Sequence, residues 1–86
     1  MSYKIVFTPQ AAKDLKKVSE SQYKAKALKL LQLIQTDPFT PPVEKLVDLE
    51  NVYSRRINIQ HRLVYQVYEK EQTIKIIRMW THYGDN

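Results

Sequence analysis

Along the first third of the chain, hydrophobic positions change period twice. Tyr3, Ile5 and Phe7 alternate with Lys4 and Val6, which predicts a short strand over 3–7 with one well-buried face. Thr8-Pro9 then reads as a helix N-cap followed by proline at the first helical position, where its missing N–H costs nothing. Ala11, Ala12, Leu15 and Val18 recur at helical spacing while Lys13, Lys16 and Lys17 fall elsewhere, so a short helix is expected. Ser19-Glu20-Ser21-Gln22 has the form of a capping box and predicts the start of a second helix. Tyr23, Ala27, Leu30, Leu31 and Ile34 make its apolar stripe, with Lys24, Lys26 and Lys29 largely outside it. Asp37-Pro38 ends it, because the residue before proline avoids helical geometry.

Beyond the proline-rich connection DPFTPP, the period becomes strand-like. VEKLVDL, YSRRINI, RLVYQVYE and TIKIIRMW are each rich in β-branched or aromatic residues, with polar breaks near Glu50-Asn51, Gln60-His61 and Lys70-Glu71-Gln72. Breaks this short imply an antiparallel meander. Gly84 is the only glycine, so turns of type I rather than glycine-based turns are expected. The order is β-α-α-β-β-β(-β), an α+β class with two helices packed on one face of a small antiparallel sheet. Residues 1–86 are expected to form one domain.

Composition narrows what such a domain can do. There is no cysteine, so disulfides and thiolate metal sites are excluded. The two histidines, His61 and His82, stand in no zinc-like spacing; no metal or cofactor is expected. No apolar run approaches the roughly 20 residues that span a bilayer, and MSYKIVF is too short for a signal-peptide core. A soluble cytoplasmic protein with no membrane partner is expected. Fourteen Lys and Arg against nine Asp and Glu give a net charge of +5. That excess suits a polyanionic partner, and equally it suits solubility alone.

The candidate chemistry is concentrated in the second half. YSRRINIQHRLVYQV, residues 53–67, places three arginines and a histidine on one expected hairpin, where residues apart in sequence become cross-strand neighbours. Arginine forks match phosphate oxygens. With a base to take a 2′-hydroxyl proton and an acid to protonate the departing 5′-oxygen, the set would cleave RNA. Glu44 is a candidate base, His82 a candidate acid, and Arg56 and Arg62 candidate phosphate ligands. Tyr83 would stack on a base or bond to phosphate. Bland readings stand beside these. Glu44 alone reads as a solvated carboxylate, His61 as a turn residue and Tyr83 as a packing anchor. Arg55 and Arg56 cannot both point the same way on a strand, and one of them would snorkel. Met79 and Trp80 read as anchors that pin the final strand. A nuclease, a non-catalytic basic module for RNA or DNA, and a domain recognising an acidic peptide all remain open on these residues.

The run SRRINIQHRLVY, with EKL upstream and THY near the end of the chain, resembles the YoeB toxins, a branch of the RelE superfamily of type II toxin–antitoxin systems. The resemblance covers essentially the whole chain. It implies the RelE-like microbial RNase fold and an endoribonuclease that cuts mRNA in the A site of the 70S ribosome, without metal, by 2′-hydroxyl attack. It further implies Glu44 as general base, within Pro42-Val43-Glu44-Lys45-Leu46, Arg62 on the phosphate charge, His82 as general acid and Tyr83 beside it. Arg56 becomes a supporting phosphate contact, with His61 and Lys45 as neighbouring candidates. Lys45 stands where some members have proline, and Gly84-Asp85-Asn86 follow the tyrosine, bringing Asp85 near His82. The implied partner is a YefM-type antitoxin whose acidic tail covers the basic surface. Operator DNA would be bound only by the toxin–antitoxin complex, and a homodimer is a further candidate assembly. The lysine-rich helix faces would meet ribosomal RNA.

Overall fold

Thr8 does what a helix N-cap should: its backbone is extended, and its hydroxyl accepts the Ala11 N–H at 3.0 Å. The same hydroxyl donates to the Ile77 carbonyl at 3.2 Å, tying the helix start to the last strand. The computed structural model describes residues 2–81. In chain order they form β1 (Lys4–Phe7), α1 (Pro9–Ser19), α2 (Lys24–Thr36), β2 (Glu44–Lys45), β3 (Val52–Arg56), β4 (Arg62–Tyr68) and β5 (Thr73–Thr81). The sheet order is β1-β5-β4-β3-β2.

Both helices and the inward face of the sheet share one core. Ala11 and Val18 of α1 and Ala27 and Ile34 of α2 meet Leu63, Tyr65 and Val67 of β4 and Ile74, Ile76 and Met79 of β5. The α+β architecture with two helices against a small sheet is as expected, but the sheet is mixed. β1 runs parallel to β5, Lys4 opposite Thr73 through Phe7 opposite Ile76; the other pairings are antiparallel. The two helices between β1 and the rest supply the long crossover that a parallel pairing requires.

Three local expectations give way for physical reasons. Ser19 does not cap α2; it is the last residue of α1. Ser21 makes the link instead, donating to the Val18 carbonyl at 2.8 Å and accepting the Tyr23 N–H at 3.1 Å. VEKLVDL yields only the two-residue edge strand Glu44–Lys45. An edge strand has a ladder partner on one side only, and here the chain turns at Leu46, whose carbonyl accepts the Leu49 N–H. Val47 is left 94% exposed. β3 stops at Arg56 because the Asn58 carboxamide captures the Gln60 and His61 N–H groups at 2.8 and 2.6 Å, an Asx turn competing with the ladder. The scarcity of glycine did not exclude positive φ: Asn51 and Gln72 adopt 59° and 50°. Gln72 closes a turn onto the Glu69 carbonyl, a type of turn that polar residues tolerate.

Candidate active site

Strand alternation sorts the arginine pair. Tyr53 and Arg55 point to the helix side of β3, and Ser54 and Arg56 to the other. Arg55 is 2% exposed. It donates to the Tyr65 hydroxyl at 3.0 Å, the Pro42 carbonyl at 3.0 Å and the Pro38 carbonyl at 3.1 Å. The Tyr65 hydroxyl in turn donates to the Pro38 carbonyl at 2.6 Å. Burial pushes the Tyr65 phenol above its ordinary range, against the pull of the Arg55 guanidinium. Arg55 is therefore a clamp that fastens the DPFTPP connection, and with it the approach to Glu44. Arg55→Ala is expected to destabilise the fold by about 3 kcal/mol, since the buried Pro38 carbonyl and Tyr65 hydroxyl lose a charged donor; the urea midpoint measures it. Asp37 holds the other end of this connection. The Thr40 hydroxyl and the Phe39 N–H bond its exposed carboxylate and keep it below the usual carboxylate range.

On the opposite face, register brings distant residues together. Ser54 pairs with Glu44 across one edge and Val64 across the other, and Arg56 stands directly opposite Arg62. The Arg62 guanidinium lies along this row. Its Nη2 donates to Glu44 Oε1 at 2.8 Å and its Nε to Ser54 Oγ at 2.5 Å. The Arg62 side chain is 19% exposed and that of Glu44 65%, so the pair opens to solvent.

β2 begins at Glu44, opposite Ser54, so the β3 edge at Arg55 and Arg56 has no strand beside it. A cleft of about 560 Å³ lies there, lined by Glu44, Ser54, Arg55, Arg56 and Arg62, by Pro42 and Val43, and by Lys26, Leu30 and Leu33 of α2. The structure thus assembles Glu44, Arg56 and Arg62 in one site. Lys45 is not among the lining residues; it pairs with Tyr53 and so falls on the other side of β2. His61 lies elsewhere too, stacked on Trp80 with ring centroids 3.9 Å apart and planes within 9°. His82 and Tyr83, with Asp85, lie outside the described residues.

Sequence reasoning passed over two groups that the structure makes prominent. Ser54 carried no motif signal beyond its place in S-R-R. Asp14, hidden among helix lysines, is fully buried. It accepts from Arg78 Nε at 2.8 Å, the Met79 N–H at 3.0 Å and Gln10 Nε2 at 3.1 Å. Burial pushes its carboxyl up, but Arg78, Met79 and Gln10 outweigh this and hold it below the ordinary aspartate range. An acidic residue at i+3 from Ala11 and i−4 from Val18, on the buried stripe, was the available clue. Asp14 stands next to a register shift between β4 and β5. It receives the N–H of Met79, itself fully buried.

Comparison with known proteins decides what this cleft belongs to. Residues 7–83 match the model of the YoeB-like toxin of bacterial type II toxin–antitoxin system. The chain belongs to the YoeB toxin family. A YoeB/ParE toxin from Agrobacterium tumefaciens is similar, with a TM-score of 0.84 and 28% identity over 93% of this chain and 99% of that one. The YoeB dimer from Staphylococcus aureus gives 0.81 and 36% identity over 96% and 100%. The toxin of the S. aureus YoeB–YefM complex gives 0.76 at the same identity and coverage. No curated protein sequence matches. The cleft with Glu44, Arg56 and Arg62 is therefore a feature of a YoeB-family toxin. Among the described residues, no helix of this YoeB-family chain is long and apolar enough to cross a membrane.

Proposed function

We propose that this toxin is an endoribonuclease that cuts mRNA in the ribosomal A site. One observation carries the reading: a carboxylate and a guanidinium 18 residues apart in sequence meet at 2.8 Å in an open cleft beside a second arginine. Arg62 and Arg56 bind the scissile phosphodiester and neutralise the charge that grows on its oxygens. Glu44 takes the proton of the 2′-hydroxyl. The 2′-oxygen attacks the adjacent phosphorus, and the bond to the 5′-oxygen breaks as His82 gives that oxygen a proton. The upstream product then ends in a 2′,3′-cyclic phosphate and the downstream product in a 5′-hydroxyl. Tyr83 stacks against a base of the substrate. Lys45 and His61 are left to the margins of the site.

The proposal extends to assembly. By likeness to the S. aureus YoeB–YefM complex and YoeB dimer, this chain pairs with a YefM-type antitoxin, which an acidic tail would hold against the basic face, and also with itself. Operator DNA is bound by the complex through the antitoxin. Residues 1–86 act as one domain in the cytoplasm, and the helix lysines meet the 70S ribosome.

Purified ribosomes programmed with a short mRNA provide the test. Cleavage is expected with 5′-hydroxyl and cyclic or 3′-phosphate ends, and a 2′-deoxy substitution at the cut nucleotide should abolish it. Intact mRNA would overturn the assignment and leave a basic binding module; ends carrying a 5′-phosphate would overturn the 2′-hydroxyl mechanism and leave a nuclease of another kind.

A further inference from the structure

On the outer face of β3 and β4, Ser54 of the cleft wall sits with Val52 and Val64, each at most 3% exposed. A buried serine between valines is a poor choice for a strand, where β-branched apolar residues pack better and leave no hydroxyl to satisfy. What the serine provides is an acceptor. Its Oγ receives Arg62 Nε at 2.5 Å.

We propose that Ser54 is a positioning residue, which sets the plane of the Arg62 guanidinium so that the base and the phosphate occupy adjacent edges of it. This rests on the ribonuclease reading above. Nε and Nη2 form the side-on fork of an arginine, and here that fork is filled by Ser54 Oγ and Glu44 Oε1. The end-on edge, Nη1 with the second Nη2 hydrogen, donates to nothing among the described residues. A phosphodiester bound there sits beside Glu44 without displacing it, so the carboxylate stays within reach of the 2′-hydroxyl of the same nucleotide. The need for a tether is specific. Arg56 is the direct cross-strand partner of Arg62, and like charges placed so repel. An arginine has several rotatable bonds and much rotamer freedom to lose. Without Ser54, only the two-thirds-exposed Glu44 carboxylate holds Arg62, and exposed ion pairs fix geometry weakly.

The test compares Ser54→Val with Ser54→Thr on mRNA-programmed ribosomes. Valine fills the serine's place and removes the acceptor; threonine keeps the hydroxyl on a strand-favouring residue. Ser54→Val is expected to lower kcat roughly ten- to hundredfold, the loss of one hydrogen bond to a charged group, with KM little changed and the thermal midpoint equal or higher. Ser54→Thr should recover most of that rate. In an Arg62→Ala background, adding Ser54→Val should cost nothing more. Wild-type rates in Ser54→Val, or a loss that adds to that of Arg62→Ala, would overturn the proposal. An independent readout needs no catalysis: the Arg62 Nε–H resonance in ¹⁵N spectra should be sharp in wild type and Ser54→Thr and broadened in Ser54→Val. If wild type leaves mRNA intact, the ribonuclease reading fails, and this resonance alone decides the role of Ser54. An unchanged resonance in Ser54→Val sinks it.

Discussion

Arg62→Ala is expected to slow mRNA cleavage on programmed ribosomes about hundred- to thousandfold, the loss seen when one preorganised donor to a developing charge is removed. His82→Ala should lose a comparable factor, as a general acid does. Lys29→Ala, an exposed helix lysine, should change the rate by less than about threefold, since single surface charges contribute little once salt screens them. The contrast matters more than either number. Arg62 makes two directed hydrogen bonds inside the cleft; in the proposed mechanism its charge would stand where the pentacoordinate phosphorus gains negative charge, whereas a helix lysine would act only on encounter. Salt titration separates the two: rates for Lys29→Ala should converge on wild type as salt rises, and those for Arg62→Ala should not. Equal losses at all three positions would mean that the chain binds RNA by charge alone.

Asp14→Ala is expected to destabilise the fold by about 3 kcal/mol, measured from urea unfolding. Breaking a buried pair costs roughly 3–5 kcal/mol, and the low end applies because the Arg78 side chain is one-third exposed. The loss has two parts, an unpaired Arg78 and a Met79 N–H left without its acceptor. The pH dependence has a definite sign. Asp14 is held below its ordinary range in the folded state. Its contribution is therefore present at pH values above about 4, the ordinary aspartate pKa, and disappears as pH falls through the lower folded value. Wild-type stability should fall along that limb, and Asp14→Ala should lack Asp14's share of it. Asp14→Asn keeps an acceptor for Met79 without the charge, and its midpoint should fall between the other two.

Much of this fold was legible because it is written in short-range terms. The Thr8-Pro9 helix start, the stop at Asp37-Pro38 and the strands over 62–68 and 73–81 follow from caps, proline sterics and period-two alternation, each a matter of a few neighbouring residues. The arginine-rich run and the resemblance to the YoeB toxins likewise singled out Glu44, Arg56 and Arg62, which the fold does bring into one cleft. The sequence also required that Arg55 and Arg56 part company, since adjacent strand residues face opposite ways.

Tertiary structure decided the remainder, wherever the outcome depended on a partner remote in sequence. That β1 joins β5 in parallel depends on the crossover made by both helices, which local pattern does not encode. VEKLVDL has the composition of a strand, yet only Glu44 and Lys45 pair, because an edge offers one ladder and the chain turns at Leu46. Which arginine goes inward was settled by carbonyls of Pro38 and Pro42 waiting for Arg55. Asp14 looked like one more helix charge until Arg78 and Met79, more than sixty residues away, gave it a buried role. Ser54 gains its meaning from Arg62 and Glu44, one on each neighbouring strand. A side chain's identity sets what bonds it can make; only the assembled sheet sets which group stands within 3 Å to accept them.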